Sequence, residues 1–175
     1  MIPAPVSDTG VSQQQFRSAL ALLTGAVTLI TTDGEAGRAG FTASAVCSVC
    51  DTPPTILVCM RTAAWSNPMF RRNGVLCVNV LNAQQQPFSA CFSDPALSQQ
   101  ERFAQAEWDT LVSGAPVLRH ALVSLDCAIE HTHTVGTHDV CFCRVLDIRA
   151  EPDGEALAYF NRNYHQIDHR SVLER

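Results

Sequence analysis

Residues 40–50 read Gly-Phe-Thr-Ala-Ser-Ala-Val-Cys-Ser-Val-Cys and run into Asp51-Thr52-Pro53-Pro54. The stretch is small, hydroxyl-rich and nearly uncharged. Small side chains bring main chain close to a flat or bulky ligand, and the hydroxyls of Thr42, Ser44 and Ser48, with free amides, offer directional hydrogen bonds. A half-buried strand with its polar residues facing water has the same composition, and residue types alone favour that plainer reading. His138 follows Gly136 at a strand interruption, where a side chain is re-aimed into a cleft, although a lone His is more often structural. Arg61 brings a guanidinium out of an apolar run, Thr55 to Met60.

Other constellations exclude chemistry. Cys47-x-x-Cys50 has metal or redox spacing, but Cys141-x-Cys143 is one residue too close, and Cys59, Cys77, Cys91 and Cys127 are scattered. A structural zinc site shows two paired knuckles, and a thioredoxin-type pair opens a helix rather than lying in a strand. His131-x-His133 puts two imidazoles on one strand face without a third ligand, so no metal is expected. Gly34, Gly37 and Gly40 lie between two strands, whereas a dinucleotide fingerprint is G-x-G-x-x-G opening a helix. Neither a phosphate-cradling G-x-x-x-x-G-K-[ST] loop nor a G-x-S-x-G elbow occurs.

The chain of 175 residues is long enough for one domain with a sizeable core. It is 46% hydrophobic and 17% charged, the composition of a globular protein. A net charge of −5 argues against nucleic acid, which rewards a basic face. No apolar run approaches bilayer length, and the first ten residues lack the basic and apolar regions of a signal peptide, so a cytoplasmic protein without membrane contact is expected. The eight cysteines are then expected to be reduced, several packing as small hydrophobes.

These groups must be positioned by recognisable elements. Ser12 to Leu23 predicts a helix capped by Ser12, with Phe16, Ala19, Leu20 and Leu23 as its apolar stripe and Gly25 ending it in a left-handed conformation. Residues 26–32 predict a strand that turns at Asp33-Gly34 and returns through Arg38 and Gly40 as a hairpin. Residues 40–50 then read as a single strand, broken at the Pro pair. Thr55 to Arg61 reads as a central strand buried on both faces, and Asn67-Pro68 as the N-cap and first position of a helix that Asn73-Gly74 stops. Residues 75–81 predict a strand in which Asn79 needs partners. Gln84 to Phe92 is a short helical segment; Ser98 to Glu101 caps another helix carrying Phe103, Ala106 and Glu107, and 112–119 is a connection. In the strand 122–134, Val123, Leu125, Cys127 and Ile129 are expected inward, and Ser124, Asp126, Ala128 and Glu130 toward water. Strands over 140–148 and 157–160 follow, separated by a turn at 152–154. Six or seven strands with three or four helices, without regular alternation, predict an antiparallel barrel with peripheral helices rather than a doubly wound sheet.

Several segments in order, Phe16-Arg17-x-Ala19, Gly25 to Thr32, Ala39 to Val49, Asp51 to Pro54, Leu76 to Leu81, Glu101-Arg-Phe, Gly136-Thr-His-Asp and Tyr159-Phe-x-Arg-x-Tyr-His165, resemble the short-chain flavin reductase family over residues 14–167. The resemblance implies a mainly β, Greek-key FMN-binding split β-barrel spanning 12–167, between a flexible segment 1–11 and a tail 168–175. It implies a homodimer that uses NADH, or NADPH, to reduce FMN or FAD, which leaves for a partner flavin-dependent monooxygenase. Carried onto this chain, it sets Phe41, Thr42, Ala43 and Ser44 against the flavin ring and Cys47, Ser48, Val49 and Cys50 at its polar edge. The family often has Thr where Cys50 stands, an exchange that a main-chain contact tolerates. Arg61, Ser66 and Asn67 fall near the ribityl-phosphate end, and His138, Tyr164 and His165 on the nicotinamide side. These residues position rather than react, because hydride transfer needs no proton donor in that step. A non-catalytic flavin- or haem-binding barrel is the competing expectation, and the Gly-Thr-His and Tyr-His pairs favour the enzyme.

Overall fold

The computed structural model describes residues 10–151 and 153–168. Most of the expected N-terminal segment, Pro152 and the tail from 169 lie outside the described residues. Helix α1 (Gln13–Leu20) opens with a capping box in which Ser12 and Gln15 each accept from the other's backbone N–H. It ends at Ala21 in a right-handed conformation, and Gly25 instead begins a strand. None of its residues is buried: Phe16 and Leu20 stay exposed, as does Leu23 beyond its end. The apolar stripe is real, but it does not reach this chain's core.

The main sheet has seven strands: β2 (Thr28–Thr32), β3 (Ala39–Ala43), β4 (Val46–Asp51), β5 (Pro54–Arg61), β6 (Val75–Val80), β9 (Val123–Val135) and β10 (His138–Ala150). Their spatial order is β3-β2-β6-β9-β10-β5-β4, antiparallel throughout. The two edge strands, β3 and β4, are consecutive in the chain and joined only by Ser44-Ala45. The sheet therefore curls into a barrel left open at that joint. Ile30, Val58, Met60, Phe70, Val78, Cys127, Cys141 and Cys143 fill the interior. Strand β1 (Gly25–Ala26) joins β11 (Ala156–Phe160) and β12 (Asn163–Ile167) in a small sheet, and β7 (Trp108–Thr110) pairs with β8 (Pro116–Leu118). Helices α2 (Asn67–Asn73), α3 (Gln86–Ser93) and α4 (Gln99–Phe103) are peripheral.

The expected architecture holds, with several corrections. Residues 40–50 are two strands on opposite edges of the sheet, and the break comes at Ser44-Ala45, ahead of the Pro pair. Strand β5 turns only one face into the barrel, so only Ile56, Val58 and Met60 are buried while Leu57 and Cys59, on the outer face, are half-covered. Ser66, not Asn67, occupies the N-cap of α2. Ser124 and Asp126 are fully buried rather than wet, because the 113–118 connection folds over them. Asp126 accepts from the Ser113 N–H at 2.7 Å and from the Ser113 hydroxyl, and Asn79 Oδ1 accepts from Ser124 Oγ at 2.9 Å and Leu118 N at 2.8 Å. The helix from Ser98 stops at Phe103, β7 and β8 fall in stretches that read as helix or connection, and β12 forms where no strand was expected.

Candidate functional site

The open joint of the barrel forms a cleft of about 400 Å³ lined by Phe41 to Ala45, Cys59, Met60, Arg61, Ala64, Phe92, Ser93 and His138. A second hollow of about 330 Å³ shares Thr42, Ala43, Ser44 and Ser93 and adds Val27, Ser89, Tyr159 and Tyr164. Both volumes fall in the range of small-molecule sites, roughly 300–1,000 Å³. The strip common to both, Thr42-Ala43-Ser44, carries no side chain larger than Thr. It is a floor on which a flat ligand can lie.

One wall is strand β3. Gly40 packs against Phe92 so tightly that a Cβ there would stand 2.7 Å from Phe92 Cε1. The Gln99 side chain closes the outer edge at this point: its Oε1 accepts from Gly40 N at 2.9 Å and its Nε2 donates to Gly40 O at 3.3 Å. By strand alternation Thr42, two residues on, also turns its N–H and C=O away from β2, onto the unpaired edge of the sheet. The Thr42 hydroxyl donates to Ser89 O at 2.8 Å and the Thr28 hydroxyl to Ala43 O at 2.7 Å, so the floor is fixed from both sides. Tyr164 is tied to α3 by a 2.9 Å contact between its hydroxyl and Ser89 Oγ.

The other wall is the end of β5 and the turn after it. Arg61 and His138 are cross-strand partners. Thr62 N donates to Thr137 O at 3.0 Å, and Thr137 Oγ1 lies 3.0 Å from His138 Nδ1. Arg61 is the one permanently charged side chain among the residues lining the cleft, so an anionic ligand end is drawn to this wall even though the chain as a whole is acidic. Beneath it lies the buried carboxylate of Asp139. The Thr134 hydroxyl and the Asn67 amide, with help from the Arg71 guanidinium, hold it below the ordinary aspartate range. Burial in turn pushes the Cys59 thiol up, so that group is a neutral liner.

The residues singled out in the sequence are thus partly gathered. Phe41, Thr42, Ala43, Ser44, Arg61 and His138 line one cleft, and Tyr164 lines the adjoining hollow. Cys47, Ser48, Val49 and Cys50 lie exposed on edge strand β4, outside both linings. Ser66 and Asn67 are buried under the Arg61 turn. His165 is exposed, its Nε2 3.2 Å from Phe160 O. Ser89, Phe92 and Ser93 were missed. Their spacing i, i+3, i+4 puts them on one face of α3, a signal present in the sequence. Cys59 and Met60 become liners only through the β5 register, Ala64 through the turn that follows it, and Ala45 through the joint between β3 and β4; none of these placements had a local signal.

A family model described as "Flavin reductase like domain" matches residues 20–168. The FMN reductase (NADH) RutF of Pseudomonas syringae pv. syringae is 52% identical over 165 residues, covering 94% of this chain and 92% of that one. Among solved structures, a Haemophilus somnus protein described as a candidate flavin reductase matches with TM-score 0.87 at 48% identity, over 90% of this chain and 100% of that one. BorF, the flavin reductase component of a bacterial two-component tryptophan halogenase, matches with TM-score 0.84 at 25% identity, over 91% of this chain and all 100% of its own. A family match over most of the chain and relatives at about half identity establish the membership: this chain belongs to the flavin reductase-like family.

Proposed function

We propose that this protein moves hydride from NADH, or NADPH, to FMN or FAD and hands the reduced flavin to a partner flavin-dependent monooxygenase. The observation that carries this reading is the cleft itself: a floor of small residues beside a single guanidinium, in a chain 52% identical to an FMN reductase (NADH). The residues present fit a flavin. The floor accepts a flat ring, the unpaired edge of β3 offers main-chain donors and acceptors, and Arg61 faces an anionic tail.

When bound, a flavin supplies an acceptor for the hydride of a nicotinamide. The chain's own part is positional. The floor leaves room for two stacked rings, whose reacting atoms must approach to about 3–3.5 Å. Arg61 would pair with the flavin phosphate, and the Ser66–Asn67 segment would support that end. By the family resemblance, main chain of 47–50 would meet the polar edge of the ring, where donors favour the reduced form, and would do so from outside the lining of the cleft. His138 would orient the nicotinamide, with Tyr164 closing that side and His165 behind it on β12.

The assembly we propose is a homodimer. Leu57, Val140 and Phe142 lie outside the buried core and form a half-covered apolar patch on the outer face of β5 and β10, beside the cleft liner Cys59 and with Cys47 at its margin. A second copy of the chain is the natural cover for such a face. We place the protein in the cytoplasm; no helix among the described residues is long and apolar enough to cross a membrane, and the cysteines are free.

Steady-state oxidation of NADH and NADPH with added FMN or FAD tests the activity. Flavin-dependent oxidation is expected, and oxidation no faster than background overturns the reading. Light scattering across a gel-filtration peak is expected to return the mass of two chains.

A further inference from the structure

Asp139 has no role in the reading above, yet it is the most thoroughly buried carboxylate near the cleft, with its side chain 1% exposed. A charge taken out of water must be met by hydrogen bonds or by an opposite charge. Here Oδ1 accepts from Thr134 Oγ1 at 2.6 Å, Oδ2 accepts from Asn67 Nδ2 at 2.9 Å, and the Arg71 guanidinium stands 3.7 Å from Oδ2. The chain of contacts continues. The same Asn67 amide nitrogen donates to the carbonyl oxygen of Arg61 at 3.3 Å, and that carbonyl also accepts from Ala64 N at 3.1 Å. An amide nitrogen has two hydrogens; one is held by the carboxylate, which aims the other at Arg61.

The geometry points to Asp139 as a positioning residue that, through Asn67, sets the Arg61–Ala64 wall and thereby the site's preference for a phosphorylated flavin. Strand alternation explains the division of labour: His138 faces out to the cleft while its neighbour Asp139 faces in, beneath the turn. Had the carboxylate served packing alone, an apolar side chain would fill the space without a charge to satisfy. Its network instead ends on the main chain of the one cationic liner.

The inference rests on the flavin-reductase reading, and two ligands separate the two. FMN and riboflavin share the ring and differ in the phosphate. Asp139→Asn keeps the shape and removes the charge that orients Asn67. Its kcat/KM with FMN is expected to fall about tenfold relative to wild type, while that with riboflavin falls less than about threefold. The same split is expected in dissociation constants from quenching of flavin fluorescence, a readout that needs no turnover. Thr134→Val, which removes one bond at the far side of the carboxylate, is expected to shift the FMN-to-riboflavin ratio in the same direction by about threefold, and covers the case in which Asp139→Asn does not fold. Equal losses for both ligands, or a lowered melting temperature with an unchanged ratio, overturn the proposal. A wild-type protein that binds FMN more tightly than riboflavin but oxidises no NADH would refute the reductase reading and leave the binding test of Asp139 standing. Equal wild-type affinity for the two ligands would refute the Asp139 proposal directly.

Discussion

The two walls of the cleft are built differently. Strand β3 is held by neutral contacts: Gly40 against Phe92, the Gln99 amide on the Gly40 backbone, and the hydroxyls of Thr42 and Thr28. The Arg61 wall is held by a buried carboxylate and by the tie from Thr62 to Thr137. The first wall sets shape and the second sets charge. Damage to the first should weaken every flat ligand alike, whereas damage to the second should sort ligands by their charged ends.

The broadest effect is expected from Gly40→Ala, which should reach the fold and every flat ligand at once. The Phe92 ring that the new Cβ would meet at 2.7 Å is itself buried and packed edge-on against Phe103. Overpacking of this kind costs about 1–3 kcal/mol, which for a chain of this size lowers the melting temperature by roughly 2–4 °C per kcal/mol. Thermal melts and flavin titrations should show lower stability together with weaker binding of FMN and riboflavin in equal proportion. A loss confined to FMN would break the division between the walls.

Next comes Arg61→Ala. A charge-assisted hydrogen bond contributes about 1.5–3 kcal/mol, so KM for FMN is expected to rise roughly 10- to 100-fold, with riboflavin little affected and the melting temperature nearly unchanged. His138→Ala on the same wall should act on the other ligand, raising KM for NADH about tenfold and more than KM for FMN. The reverse order would move His138 to the flavin side.

Much of this division was legible in the sequence. The small, hydroxyl-bearing run at 42–44 drew notice in the sequence, yet residue types alone favoured a half-buried strand facing water, and only the resemblance to a family turned it toward a ligand. Arg61 and His138 stood out as polar groups at the ends of apolar strands. What the sequence concealed depends on register. Nothing local says that β3 and β4 sit on opposite edges, since the two-residue joint Ser44-Ala45 looks like continuous strand. Ser124 and Asp126 alternate as if wet and are buried only because a distant connection covers them. Asn67 satisfied the pattern of a helix cap, while its true partners, Asp139 and the Arg61 carbonyl, are set by tertiary packing. Pattern reading finds which residues leave the core and misses what folds back over them.

The smallest effect concerns the thiols behind the charged wall. Cys127, Cys141 and Cys143 lie on β9 and β10, the strands that carry His138 and Asp139, and burial pushes all three up, Cys127 to about 12. A thiol raised in the folded state favours folding in full below its unfolded value of about 8.5, and that contribution is lost as pH climbs toward the folded value. Stability should therefore decline above about pH 9. Exchanging Cys127 for Ala should flatten that alkaline slope while lowering stability at neutral pH, because it leaves a small cavity. An Ellman-type titration sharpens the picture. Exposed Cys50 should react at once at neutral pH, and Cys77, Cys127, Cys141 and Cys143 only in denaturant. Cys47 is equally exposed in the single chain but borders the apolar outer face of β5 and β10. Slower labelling of Cys47 than of Cys50, relieved on dilution, would mean that a second copy covers that face, and equal rates would mean that the two chains meet elsewhere.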